Sequence, residues 1–247
     1  MPLRGLLLMI NCAYMRMGGM DLSNSEQRKR KSQLAPRREP VQARARERTR
    51  KILDITGRLL EEVGLNDLTT ILIAKELGVS VGSLYHYFPN KHAILYAMGE
   101  QWLVSMTEAL DELGQSGVEQ MSLQEFISEL VRRLLIVYRE QRGLLPLVQA
   151  MWGIPELHEL DERHDELIIS HLCDMFRRMG FTCPPNEMNR LARATLETCH
   201  AVFLVIVNQQ GVRSERTRED LEGMLFSMLD SRRKDSRPSG LGDVEAP

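Results

Sequence analysis

The chain has 247 residues and a formal net charge of −2, yet eleven basic residues stand between Gln27 and Lys51 against only Glu39 and Glu47, so that stretch carries +9 and the remainder −11. A basic arm on an acidic remainder suits phosphate contact at one end and excludes a protein that coats nucleic acid over its whole surface. No apolar run approaches the ~20 residues that span a bilayer, and no phosphate loop, nucleophile motif or metal cluster is present, which sets aside membrane proteins and the common enzyme classes.

Residues 1–40 show no periodicity and include Pro36 and Pro40, so a disordered basic extension is expected there. Its apolar run, Leu6 to Ile10, is shorter than the ~7–15 residues of a secretion signal's core, and Met15, Met17 or Met20 is the expected true start. From about Val41 a helix is predicted. Ile52, Ile55, Leu59, Leu60 and Val63 recur along it at three- and four-residue steps until Gly64 closes it. Gly57 inside it costs ~1 kcal/mol relative to alanine, a cost compatible with the close approach of a neighbour.

Two short helices follow. Thr69 and Thr70 are N-cap types before Ile71, Ile73, Ala74 and Leu77, and Gly78 supplies the left-handed position past the helix end. Ser80 caps a second helix, which Pro89 terminates about two turns later. Ala74, Gly78 and Leu84 place a small residue at the crossing, a glycine in the turn and a branched residue on the inner face, the demands of a helix-turn-helix. The outer face of the second helix crowds Ser80, Ser83, Tyr85, His86 and Tyr87 together with hardly any carboxylate, where a merely solvated face would carry Glu and Lys.

Asn90 then caps a long helix with Ile94, Met98, Trp102, Met106 and Leu110, running out at Gly114 to Gly117. Ser122 and Glu125 form a capping box ahead of the stripe Leu123, Phe126, Ile127, Leu130, Val131, Leu134, Leu135 and Tyr138, a core helix. A short helix is predicted after Gly143, broken near Gly153, and another from Pro155 to Gly180 with its acidic cluster, Glu156 to Glu166, facing water. Pro184-Pro185-Asn186 opens a helix that is apolar nearly all round from Cys199 to Val207 and must be buried on two sides. A final helix is predicted from Thr217, with Leu221, Met224, Leu225, Met228 and Leu229 on one face, and a polar disordered tail after Ser231.

The four cysteines, Cys12, Cys173, Cys183 and Cys199, form no CxxC pair and read as reduced thiols of an intracellular protein. His164 and His171 lie seven residues, hence ~10 Å, apart along a helix and cannot share a metal ion by themselves. No metal and no cofactor is expected.

The run Gly64-Leu65-Asn66-Asp67-Leu68-Thr69-Thr70, with Ile73-Ala74, Gly78-Val79-Ser80, Gly82-Ser83-Leu84-Tyr85 and Tyr87-Phe88-Pro89-Asn90-Lys91, resembles the DNA-binding domain of the tetracycline-repressor (TetR) family of bacterial regulators over about residues 45–95. The fold expected is all-α: a three-helix DNA-binding domain with the helix-turn-helix at 41–92, a helical effector-binding and dimerisation domain at 93–232, and disordered ends at 1–40 and 233–247. The resemblance implies a cytoplasmic, nucleoid-associated homodimer on a palindromic double-stranded operator, released by a small-molecule effector and independent of membranes.

In such a domain the second helix lies in the major groove and the preceding helix crosses the backbone. Thr70 and Ser80, at helix N-termini, are then expected at phosphates, with Tyr87, Lys91 and the arm residues Arg44, Arg46 and Arg48 beside them. Val81, Gly82, Ser83, Tyr85 and His86 are the expected base contacts. Where the family's tetracycline repressors carry a basic side chain, this chain has Ile71, and its reading helix has no arginine for guanine, so specificity is expected to lean on the arm or on DNA shape. The expected effector pocket draws on Trp102, Phe126, Tyr138, Trp152, His171, Met175 and Phe203. The expected dimer interface draws on Cys199, Val202, Ile206, Leu221, Met224, Leu225 and Met228. The competing reading is a ligand-independent DNA-binding adaptor of nucleoid or cell-division type that acts through a protein partner.

Overall fold

The computed structural model describes residues 43–235, so the extension expected at 1–40, the alternative starts and the tail beyond 235 lie outside the described residues. Nine α-helices and four short 3-10 turns, with no strand, make up what is described. Helix α1, Ala43–Asp67, carries Ile52, Leu53, Ile55, Leu59 and Leu60 buried on its inner face. At Gly64 (φ 76°, ψ 175°) it breaks sharply, a conformation that favours glycine. Val63, expected on the buried face, directly precedes this break and stays 37 % exposed.

Helices α2, Thr70–Leu77, and α3, Val81–Tyr87, are the predicted pair. Thr69 caps α2 by accepting from the Leu72 amide at 3.1 Å, and Ser80 caps α3 by accepting from the Ser83 amide at 3.1 Å. Between them Gly78 takes φ 68°, and its N–H and that of Val79 close the last carbonyls of α2. These local bonds satisfy amides that two helices this short would otherwise leave open. Ile73, Ala74, Leu84 and Phe88 turn inward and are buried.

Asn90 caps α4, Lys91–Gln115, accepting from the Ala93 amide at 2.8 Å. The body adds α5, Leu123–Glu140, with the predicted Ser122–Glu125 capping box; α6, Leu145–Ala150; α7, His158–Arg178; α8, Pro185–Ile206; and α9, Gly211–Asp235. Helix α4 packs on α5 and α7, and α8 lies between α7 and α9, with α5 against both α8 and α9. Every residue of the predicted α5 stripe is buried. Helices α4 and α7 cross closely at Gly99, where a Cβ would fall 2.4 Å from Leu160 Cδ2.

Besides Val63, three expectations change. Helix α7 starts at His158 rather than Pro155, and Pro155–Leu157 forms a 3-10 turn ahead of it. Helix α9 starts at Gly211 rather than Thr217. The Thr217 hydroxyl bonds back to the Arg213 carbonyl one turn earlier, as threonines do inside helices, and to Gln209 Oε1. The acidic cluster of α7 does not face water throughout, since Asp165 is buried and its Oδ2 accepts from Arg193 at 2.9 Å.

Candidate nucleic-acid interface

Helix α3 is anchored by Leu84 on its inner side, which leaves Gly82, Ser83, Tyr85 and His86 exposed on the outer side. The Thr70 hydroxyl and the Tyr85 phenol are 3.2 Å apart, so the start of α2 is tied to the outer face of α3. Ser80 and Ser83 share a hydroxyl contact at 2.9 Å, and the rings of His86 and Tyr87 meet edge to face at 5.7 Å. Val81 and Tyr87 are half-buried and pack on the core, which leaves less of each free than of Ser83 or His86.

Arg44, Arg46 and Arg48 are all exposed, and the structure sets them on the first turns of α1. Arg48 lines a cleft of about 340 Å³ together with Ser83, His86 and Tyr87, which brings a guanidinium to the edge of a helix that has none. Lys91 faces inward in part: its Nζ donates to the Leu65 carbonyl at 3.2 Å. Ile71, at the position where the family's tetracycline repressors carry a basic side chain, is 69 % exposed beside Thr70. Ile73, Ala74 and Leu77 define the inner face, and a residue two positions before Ile73 falls about 200° away on a helix.

The stretch 52–98, which contains the whole reading unit, matches the family model described as bacterial regulatory proteins, tetR family, and residues 122–229 match the tetracyclin repressor-like C-terminal domain. The chain belongs to the TetR family. It is therefore a DNA-binding transcriptional regulator and not an enzyme. Among curated relatives it is similar to the HTH-type transcriptional regulator BetI 1 of Chromohalobacter salexigens, at 28 % identity over 70 % of this chain and 85 % of that protein. It is also similar to BetI of Stenotrophomonas maltophilia, at 29 % identity over 59 % of this chain and 73 % of that one. A transcriptional regulator from Rhodococcus sp. RHA1 shares the fold with a TM-score of 0.60 at 17 % identity, over 76 % of this chain and 97 % of that structure. A TetR-family regulator from Streptomyces coelicolor does so at 0.55 and 20 %, over 75 % and 99 %.

In the regulator's body, three of the residues expected in a pocket come together. The Trp102 and Tyr138 rings meet edge to face at 4.8 Å, and Tyr138 and Phe203 lie 4.9 Å apart. Phe126 instead pairs with Phe176 at 6.0 Å. Met175 and His171 border a groove between α4 and α7, where His171 Nε2 is 2.9 Å from Asp111 Oδ1. Trp152 belongs to the 3-10 turn Met151–Gly153.

Two histidines meet the rings: His164, weighed from the sequence only as a metal ligand, and His200, which the sequence did not single out. Trp102 Nε1–H donates to His164 Nε2 at 3.3 Å, which leaves the His164 proton on Nδ1, 3.5 Å from Asp165 Oδ1. The Tyr138 hydroxyl and His200 Nδ1 are 2.6 Å apart. Burial pushes the Tyr138 phenol up and the Cys199 thiol up to about 12. Burial, with His164 nearby, drives the His200 imidazole down to about 4 against the opposing pull of Asp165. Among the described residues no group of three or more side chains is arranged to hold a metal ion, and no helix is long and apolar enough to cross a membrane.

Of the residues expected at a dimer interface, Cys199, Ile206, Leu221 and Leu225 are buried in the protomer's own core. Met224 is 48 % exposed, and Val202 and Met228 are half-buried. Val205, within the stretch expected to be buried on two sides, is also 48 % exposed and joins them as an outward apolar residue.

Proposed function

We propose that this regulator is a homodimeric repressor that binds a palindromic operator and is released by a small-molecule effector held in the body. The observation that carries the DNA contact is the outward row Ser83, Tyr85 and His86 on a capped helix, with Arg48 alongside. Ser83, Tyr85 and His86, with Gly82 and the free edge of Val81, face base edges. Thr70, Ser80, Tyr87, Lys91, Arg44, Arg46 and Arg48 face phosphates. Val202, Val205, Met224 and Met228 supply the apolar strip on α8 and α9 by which a second copy packs, and two heads then meet half-sites ~34–36 Å apart. The ring cluster of Trp102, Tyr138 and Phe203 with His164 and His200 is where the effector contacts the protein, because apolar walls with a few converging polar groups are what small-ligand sites are made of.

Selection of bound fragments from random DNA, followed by footprinting across the genome, tests this reading. The expected result is an inverted repeat near promoters, released by a metabolite added to the complex. Scattered sites without promoters, kept when metabolites are added and joined by a protein on the body, would instead favour the adaptor.

A further inference from the structure

The domain that reads DNA is held to the body at more than the shared helix α4. Helix α1 meets the turn Arg142–Leu144, which joins α5 to α6, more extensively than it meets α4. At the centre of this contact Gly143 lies directly on the backbone of Gly57, where a Cβ built on Gly143 would fall 2.8 Å from the Gly57 carbonyl oxygen and 3.2 Å from its carbonyl carbon. Backbone cannot yield as the end of a flexible side chain can, so the turn fits only with glycine at that position. The converse does not hold, because a Cβ on Gly57 would meet Met98 Cε at 3.7 Å, an ordinary contact.

The side chains around Gly143 lead in three directions. Arg142 Nε is 3.7 Å from Glu61 Oε1 on α1, in the reading head. Gln141 Nε2 donates to Ser105 Oγ on α4 at 2.6 Å. Arg142 Nη2 donates to Asn208 Oδ1 at 3.3 Å, just past the end of α8. One helical turn earlier, Arg139 Nη2 donates to Ser214 Oγ on α9 at 3.2 Å. A single short turn thus touches the head, the helix that joins head to body, and the segment between α8 and α9, while the end of α5 that leads into it holds α9.

We propose that the Gln141–Leu144 turn is a latch that fixes the angle of the reading head against α8 and α9, so that a shift in the body reaches the DNA through Gly143 and Gly57 as well as along α4. The inference rests on the dimeric reading given above. It makes Gly143 and Arg142 positioning residues, outside the DNA interface and outside the ring cluster. A rigid two-sided contact transmits a small displacement as a rotation of the head, and two heads bound to one duplex amplify that rotation into a mismatch of half-site spacing.

The test compares wild-type protein with the variants Gly143→Ala, Arg142→Ala and Gly57→Ala on two DNA fragments: the palindrome selected by the wild-type protein and a fragment holding one half-site. Hydrogen exchange of α5, α8 and α9 and the mass in solution are followed in parallel. Gly143→Ala is expected to weaken palindrome binding by about 10-fold, within the range of ordinary coupling between sites, with half-site binding, body protection and dimer mass unchanged. Arg142→Ala moves the same way by a smaller factor, and Gly57→Ala leaves both fragments bound as before. Unchanged palindrome binding in Gly143→Ala, or equal losses on palindrome and half-site, overturns the latch while leaving the dimeric repressor standing. A wild-type protein that stays monomeric on its selected DNA overturns the dimeric reading and the latch with it.

Discussion

The Lys91 ammonium donates to the Leu65 carbonyl across 3.2 Å, fastening the first residue of α4 to the chain just past the break in α1 at Gly64. A carbonyl beside a helix break has lost its regular partner, and a lysine that supplies one acts on the fold before it acts on DNA. Lys91→Ala is accordingly expected to cost about 1 kcal/mol of stability with no DNA present, the usual worth of a hydrogen bond of this kind. Urea unfolding checks it, and an unchanged midpoint with weaker DNA binding would assign Lys91 to phosphate alone.

Ser80 caps α3 and is proposed to meet a phosphate, and two substitutions separate these roles. Its hydroxyl accepts from the Ser83 amide, so Ser80→Ala should destabilise the protein by ~1 kcal/mol. Ser80→Asp keeps a good cap and adds a carboxylate at the DNA-facing end of α3. It should retain the melting temperature of the wild type and lose DNA binding at low salt, as seen by thermal melting beside a mobility-shift titration.

On the reading face, His86→Ala is expected to change which sequences are selected, because its ring is exposed on the outer side of α3. Tyr87→Ala is expected to weaken all sequences alike and to lower stability, because its ring is half-buried against the core. Competition between the selected operator and random DNA gives the ratio for each. Equal losses on both DNAs for His86→Ala would remove it from the base contacts.

The buried imidazole of His200 makes stability depend on acid. Its ordinary value is 6.5 and the folded protein holds it down to about 4, so the folded state keeps it neutral where the unfolded chain accepts a proton. The contribution is fully present above about pH 6.5, falls as the pH drops below it, and is spent near pH 4. Urea midpoints measured at pH 7.5 and pH 5 should differ less in His200→Gln than in the wild type. An identical difference in both proteins would place the acid sensitivity elsewhere.

Much of the reading head was legible because its signals are local. Thr69, Gly78, Ser80, Pro89 and Asn90 act within a few residues of themselves, so caps and breaks follow from composition and order alone. The α5 stripe was legible for a related reason, as an amphipathic helix announces its buried face by period. The start of α9 was not legible in this way, since Thr217, its expected beginning, lies inside a helix that opens at Gly211. His200 gave no signal, because an isolated histidine in an apolar run looks the same whether its ring meets solvent or a tyrosine from another helix.

The sequence by itself determined the all-helical division, the helix-turn-helix and the row of polar side chains on its outer face, since these depend on bonds and periodicities that span a turn or two. Only the tertiary structure decided that Arg48 stands beside α3, that Trp102, Tyr138 and Phe203 meet two histidines, that Cys199, Ile206, Leu221 and Leu225 belong to the protomer's own core, and that Gly143 rests on Gly57. These are contacts between residues tens of positions apart. Their geometry is set by how whole helices pack, and no local pattern records it.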